Sequence, residues 1–248
     1  MFDFRQAHFE YDPYPIGLVK PILAEPVYAE LVTAYPPKEI FEFKKELGNK
    51  YSLSEVNNAS QYRRFISSSE PWRKLHAYVK GDDFIPSVLE FLKARNIDLG
   101  LKRFRIASKK PINSRAGAIN RLLRYEELSA RFEFSMMDSF GGSIRPHTDS
   151  AQKLITLVVS MMAPGEWNTA WGGGTEIVRP KDKTLLYNHI NKSLDFSEVE
   201  ILKEWDFSPN QCVVFVKTFN SWHSVTPMRG AGQNVLRKTL TINIEAKL

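Results

Sequence analysis

The sequence predicts an α+β protein that is mainly β, an antiparallel sandwich or barrel of the jelly-roll kind supported by helices from the N-terminal half. Three observations predict it. From Arg131 onward the chain breaks into short runs rich in β-branched, aromatic and Met residues, punctuated by Gly, Pro and Asn at strand-like intervals. Upstream of that point, apolar residues recur at helical spacing instead. No linker or internal repeat divides the 248 residues, so 1–248 reads as a single domain, with 1–130 a helical and loop support region and 131–248 the β core.

Taken in order, residues 21–35 place Leu23, Val27, Leu31 and Val32 on one helical face and end at Pro36-Pro37, which stops a helix. Residues 57–69 are polar and serine-rich, and read as a loop able to serve as a mobile lid. Gly81-Asp82-Asp83 is a turn, and residues 87–94 repeat the helical pattern with Val88, Leu89, Phe91 and Leu92. Strands are then expected at 131–138, 143–149, 153–161, 174–179, 184–188, 198–203, 212–217 and 235–245, with a short one near 221–226. Residues 166–174, with Trp167, Trp171 and three consecutive glycines, form an irregular connection.

Composition narrows the class. With 43% hydrophobic and 25% charged residues the chain is neither disordered nor low in complexity. The longest apolar stretch, 154–163, is interrupted by Thr156 and Ser160 and falls well short of the roughly 20 residues a bilayer helix needs. Asp3, Arg5, Glu10 and Asp12 break up the N-terminus, which leaves no secretory signal. The single cysteine, Cys212, makes neither an internal disulfide nor a cysteine zinc cage, and a cytoplasmic setting is expected. A net charge of +6 mildly favours polyanions, but the densest basic cluster (Arg103, Arg105, Lys109, Lys110, Arg115, Arg121, Arg124) is interleaved with apolar positions and reads as a solvated face.

Chemistry concentrates in the second half. His147-Thr148-Asp149 sets an imidazole and a carboxylate at i and i+2, which on a strand share a face and can chelate one ion. His223 follows the apolar run Val213-Val214-Phe215-Val216 and supplies a third ligand from a later strand. Two His and one carboxylate on one face leave three positions open, the arrangement of non-haem Fe(II) oxygenases. Fourteen residues on, Arg237, Thr239 and Thr241 share one face of an alternating strand, with Leu240 and Ile242 on the other. A guanidinium buried in an apolar sandwich needs an anion, and Arg favours a bidentate carboxylate. Arg229 and Lys238 are the alternatives for that role.

His147-x-Asp149, His223 and Arg237-x-Thr239, in this order on strand-like segments, resemble the 2-oxoglutarate and Fe(II)-dependent oxygenase superfamily, with its double-stranded β-helix of about eight strands. Within it the prolyl-hydroxylase-like branch is most similar: Gly141 lies six residues before the first His, Gly173-Gly174-Thr175-Glu176-Ile177 resembles its glycine-containing strand start, and Trp222-His223-Ser224-Val225-Thr226-Pro227 its H-x-V-x-P segment. The likeness spans about 131–246. It implies that His147, Asp149 and His223 hold Fe(II), and that Arg237 and Thr239 grip the far carboxylate of 2-oxoglutarate. Dioxygen is then the oxidant, with ascorbate a candidate auxiliary reductant, and a small molecule or a protein side chain is hydroxylated. Asp138 stands where many prolyl hydroxylases carry Tyr, and Arg237 where collagen-type enzymes carry Lys, so peptidyl proline is not implied.

Two other readings compete. Oxidative demethylation of alkylated nucleic acid is disfavoured because that branch carries a second arginine where this chain has Asn243. A non-catalytic jelly-roll binding protein has no need of an open coordination face. His189 is expected in a loop, His8 and His76 at surface or packing positions, and Trp222 in the core. Ser150-Ala151-Gln152-Lys153 lacks the context of a Ser-x-x-Lys nucleophile, and no Gly-Lys-Ser/Thr follows Gly172 to make a phosphate loop.

Overall fold

The structure, a computed structural model, describes residues 1–101, 103–107 and 126–246. Five members of the basic cluster, Lys109, Lys110, Arg115, Arg121 and Arg124, lie outside the described residues. The chain order is β1 (His8–Glu10), β2 (Ile16–Val19), α1 (Glu25–Thr33), β3 (Glu42–Lys44), β4 (Lys50–Ser54), α2 (Ala59–Ser68), α3 (Glu70–Val79), α4 (Phe84–Lys93) and β5 (Phe104–Ile106). Then come β6 (Glu126–Asp138), β7 (Ile144–His147), β8 (Lys153–Ser160), β9 (Thr175–Pro180), β10 (Val199–Trp205), β11 (Cys212–Val216), β12 (His223–Val225) and β13 (Leu236–Ala246).

Helix α1 starts with Pro26 in its first turn, where a missing N–H costs nothing, and stops ahead of Pro36-Pro37. The expected helix at 87–94 is α4, which begins earlier because Phe84 and Ile85 join its buried face. Three expectations are corrected. Residues 57–69 form no loop or lid: Asn58 takes a left-handed turn and α2 follows, burying Tyr62 and Ile66. Residues 184–188 are not a strand but carry a 3-10 turn at Lys183–Leu185, capped where the Thr184 amide donates to the Asp182 carboxylate at 2.9 Å. The first half, expected as helix and loop, also contributes five short strands.

Two antiparallel sheets result. The larger runs β1-β2-β11-β8-β13-β6-β4-β3, with β5 added in parallel to β6; the smaller runs β10-β9-β12-β7. From β6 on, the chain alternates between them, so that β6, β8, β11 and β13 lie in the large sheet and β7, β9, β10 and β12 in the small one. The period of two along each strand divides the core. Even-numbered Phe132, Phe134, Leu240, Ile242 and Ile244 point outward beneath the helices with Trp72, Leu75 and Val88. Odd-numbered Val213 and Phe215 point inward and meet Ile177 and Trp205 of the small sheet. Along β6 and β13 the inward face is polar, with Glu133, Ser135, Arg237, Thr239 and Asn243 all buried. Within the described residues no helix is long and apolar enough to cross a membrane.

Candidate metal and cosubstrate site

That polar inward face opens on a cavity of about 410 Å³ lined by His147, Asp149, His223, Arg237 and Thr239 together. The small sheet supplies the imidazoles. His147 ends β7 and stands opposite His223, which begins β12, so backbone pairing brings the rings to 4.3 Å. Asp149 does not arrive by strand alternation as expected. β7 ends at His147, and Asp149 sits in the following turn at φ +68°, a left-handed conformation that Asp tolerates better than most residues. The turn is pinned from behind, where the Thr148 amide donates to the Asn191 side-chain oxygen at 3.3 Å.

His147, Asp149 and His223 each offer one ligand atom, and these atoms lie within 4.8 Å of one another. His147 Nδ1 is 2.9 Å from the Arg145 carbonyl and His223 Nδ1 is 2.9 Å from the Ser221 carbonyl. A carbonyl only accepts, so Nδ1 carries the hydrogen on both rings and each Nε2 keeps a lone pair for the cavity. Burial, then the neighbouring His147, pushes the His223 imidazole down to about 3, leaving it neutral. Burial works to raise the Asp149 carboxyl. The hydrogen bond from His147 and the charges of Lys153 and His223 outweigh it and hold the group well below the usual carboxylate range. Two neutral imidazoles and an ionised carboxylate, with both outer nitrogens committed to carbonyls, are the donor set and outer support that a divalent metal requires.

At the other end of the cavity Arg237 is 3% exposed. Its Nε donates to the Gly173 carbonyl at 2.7 Å and its guanidinium lies 4.1 Å from the Phe207 ring centroid. It has no carboxylate partner among the described residues, and burial draws it down to about 9. Gly173 is required here. It adopts φ +83°, and a Cβ would stand 2.9 Å from Met228 Sδ and 3.2 Å from Arg237 Cδ. Thr239 Oγ1 lies 2.7 Å from Ser135 Oγ, and the Tyr35 hydroxyl sits between the carbonyls of Ser135 and Thr239 at 2.9 and 2.8 Å.

Of the alternatives for the anion-binding role, Lys238 points to the opposite face and pairs with Glu166 at 2.5 Å. His189 lies in a loop against Phe219, His76 packs on Phe132, and Trp222 is 1% exposed in the core. Sequence reasoning did not find Thr156, which donates to Asp149 at 3.2 Å, nor Lys153, whose ammonium stands 2.5 Å from the same carboxylate. The signal for Lys153 was its i+4 spacing from Asp149, hidden because strand alternation was assumed through that turn.

No protein-family model and no curated protein matches the sequence. Solved structures similar to the chain include a prolyl-4-hydroxylase of Pseudomonas putida, 12% identical over 96% of this chain and 95% of that one, with a TM-score of 0.49. The epimerase SnoN in complex with Fe3+, alpha-ketoglutarate and nogalamycin RO is 11% identical over 98% of this chain and 80% of its own, at 0.49. An oxidoreductase of the 2OG-Fe(II) oxygenase family from Burkholderia pseudomallei is 11% identical over 89% and 78%, at 0.42. Likenesses of this strength establish neither activity nor substrate.

Proposed function

We propose that the chain is a non-haem Fe(II) dioxygenase that couples oxidative decarboxylation of 2-oxoglutarate to hydroxylation of a small molecule or a protein side chain. One observation carries the reading: a His-Asp-His donor set within 4.8 Å and an unpaired buried arginine line the same cavity. Eight strands, β6 to β13, alternating between two sheets, support a double-stranded β-helix as the scaffold.

His147, Asp149 and His223 hold the iron, which supplies the oxidising power for both half-reactions. Arg237 binds the far carboxylate of 2-oxoglutarate, with the Phe207 ring and the Gly173 carbonyl fixing the guanidinium plane so that its remaining N–H groups address the cavity. The Thr239 hydroxyl, 2.7 Å from Ser135, donates to the same carboxylate. Phe215, 4.3 Å from the His223 ring, keeps water from the inner side of that imidazole. Lys153 and Thr156 hold the two Asp149 oxygens and fix the carboxylate plane.

The test is succinate release from 2-oxoglutarate by the full chain with Fe(II) and ascorbate. Turnover that needs iron and disappears in His147→Ala is expected. A folded, iron-loaded protein that neither binds nor consumes 2-oxoglutarate overturns the reading.

A further inference from the structure

Asp149 answers more positive charge than it can satisfy once it ligates a metal. Lys153 Nζ lies 2.5 Å from its Oδ1. Lys217, half-buried at the end of the neighbouring strand β11, feels the charges of Asp149 and Lys153 and has no carboxylate partner among the described residues. The two lysines are held side by side, because the Lys217 amide donates to the Leu154 carbonyl at 2.9 Å. Nearby acids are already engaged: Glu133 binds Lys50 at 2.6 Å, and Glu245, opposite Lys153 in strand register, binds Arg131 at 3.0 Å. A divalent cation on Asp149 therefore leaves two partly desolvated ammonium groups facing each other beside the metal, an arrangement that calls for an anion.

The far carboxylate of 2-oxoglutarate cannot be that anion. Arg237 and Glu245, the strand partner of Lys153, are eight residues apart on β13 (245 − 237), or about 27 Å at the rise of a β-strand. A second acceptor is wanted at this end for another reason, since the buried Asn243 Nδ2, on the residue paired with Thr156, has no hydrogen-bond partner.

Resting on the dioxygenase reading, we infer that the hydroxylated substrate carries an anionic group, a carboxylate or a phosphate, which Lys153 and Lys217 bind beside the metal. The lysines are positioned to orient that substrate at the cavity mouth while Arg237 holds the cosubstrate at its floor.

The test uses the full chain loaded with Mn(II) and saturated with 2-oxoglutarate, with inorganic phosphate and trifluoroacetate as anionic probes and trifluoroethanol as the neutral one. Paramagnetic relaxation of the phosphorus and fluorine nuclei reports binding near the metal. A saturable enhancement for an anion but not for trifluoroethanol is expected, weakened at least about tenfold in Lys217→Met and in Lys153→Met and restored in Lys217→Arg. Preference for phosphate assigns a phosphorylated substrate and preference for trifluoroacetate a carboxylic acid. Equal relaxation of the neutral probe, or undiminished anion binding in both methionine variants, overturns the inference and leaves the dioxygenase reading standing. Water-proton relaxation unchanged by the protein means that Mn(II) is not bound, and both fall.

Discussion

Arg237 keeps a full charge at 3% exposure with only a carbonyl and a ring face as company. An ion so placed is costly to the fold, because desolvation is not returned by any counter-charge. Arg237→Met should leave the free protein as stable as the parent or more so by about 1–4 kcal/mol, while 2-oxoglutarate binding weakens at least about a hundredfold. Thermal melts and cosubstrate titration, run on the same preparation, check both halves. A variant that loses stability in proportion to its binding would make Arg237 a packing residue. The position was legible because alternation on β13 set Arg237 and Thr239 against Leu240 and Ile242, and those two are indeed buried under the helices. Asp149 was legible as a residue but not as a shape. Alternation and a left-handed turn both deliver a carboxylate beside His147, and only coordinates tell them apart.

Among the elements, α3 is the one that locks the helical layer to the large sheet. Trp72 is fully buried, stands 4.6 Å from Phe134 and 6.2 Å from Phe132 by ring centroids, and donates from Nε1 to the Ala34 carbonyl at 2.8 Å. Trp72→Ala is expected to cost about 3–5 kcal/mol in denaturant unfolding, since both a large cavity and an orphaned carbonyl result. Strands β4 and β6 carry a different element-scale cost. Burial works to raise the Glu133 carboxyl, but Lys50, Arg131 and Lys153 hold it below its ordinary value. A depressed carboxyl contributes stability that is complete above the unfolded-state value and is lost as pH falls through the folded one. Denaturant midpoints should therefore drop more steeply in acid for the parent chain than for Glu133→Gln. Helix α2 escaped sequence reading because Ser and Asn dominate it and only Tyr62, Phe65 and Ile66 carry a period. β1 to β5 escaped because three to five residues are too few to show alternation.

For the molecule as a whole, evenly spaced apolar runs between Gly, Pro and Asn were enough to read a sandwich, because each strand must bury one face whatever its partners are. They were not enough to give the order of winding, nor the way β1 to β4 extend the large sheet, since pairing partners far apart in the chain leave no local trace. That winding divides the site by sheet. His147 and His223 belong to the small sheet, Arg237 and Thr239 to the large one. A diacid held at both ends becomes a strut between two walls, and the gap between the walls is a ruler for the number of carbons it spans. The five-carbon 2-oxoglutarate should raise the melting temperature of the Mn(II)-loaded protein more than oxaloacetate, one carbon shorter, or 2-oxoadipate, one longer. Residues that set the gap, Phe215 and Val213 against Ile177 and Trp205, touch no bound molecule and yet become the graduations on which chain length is measured.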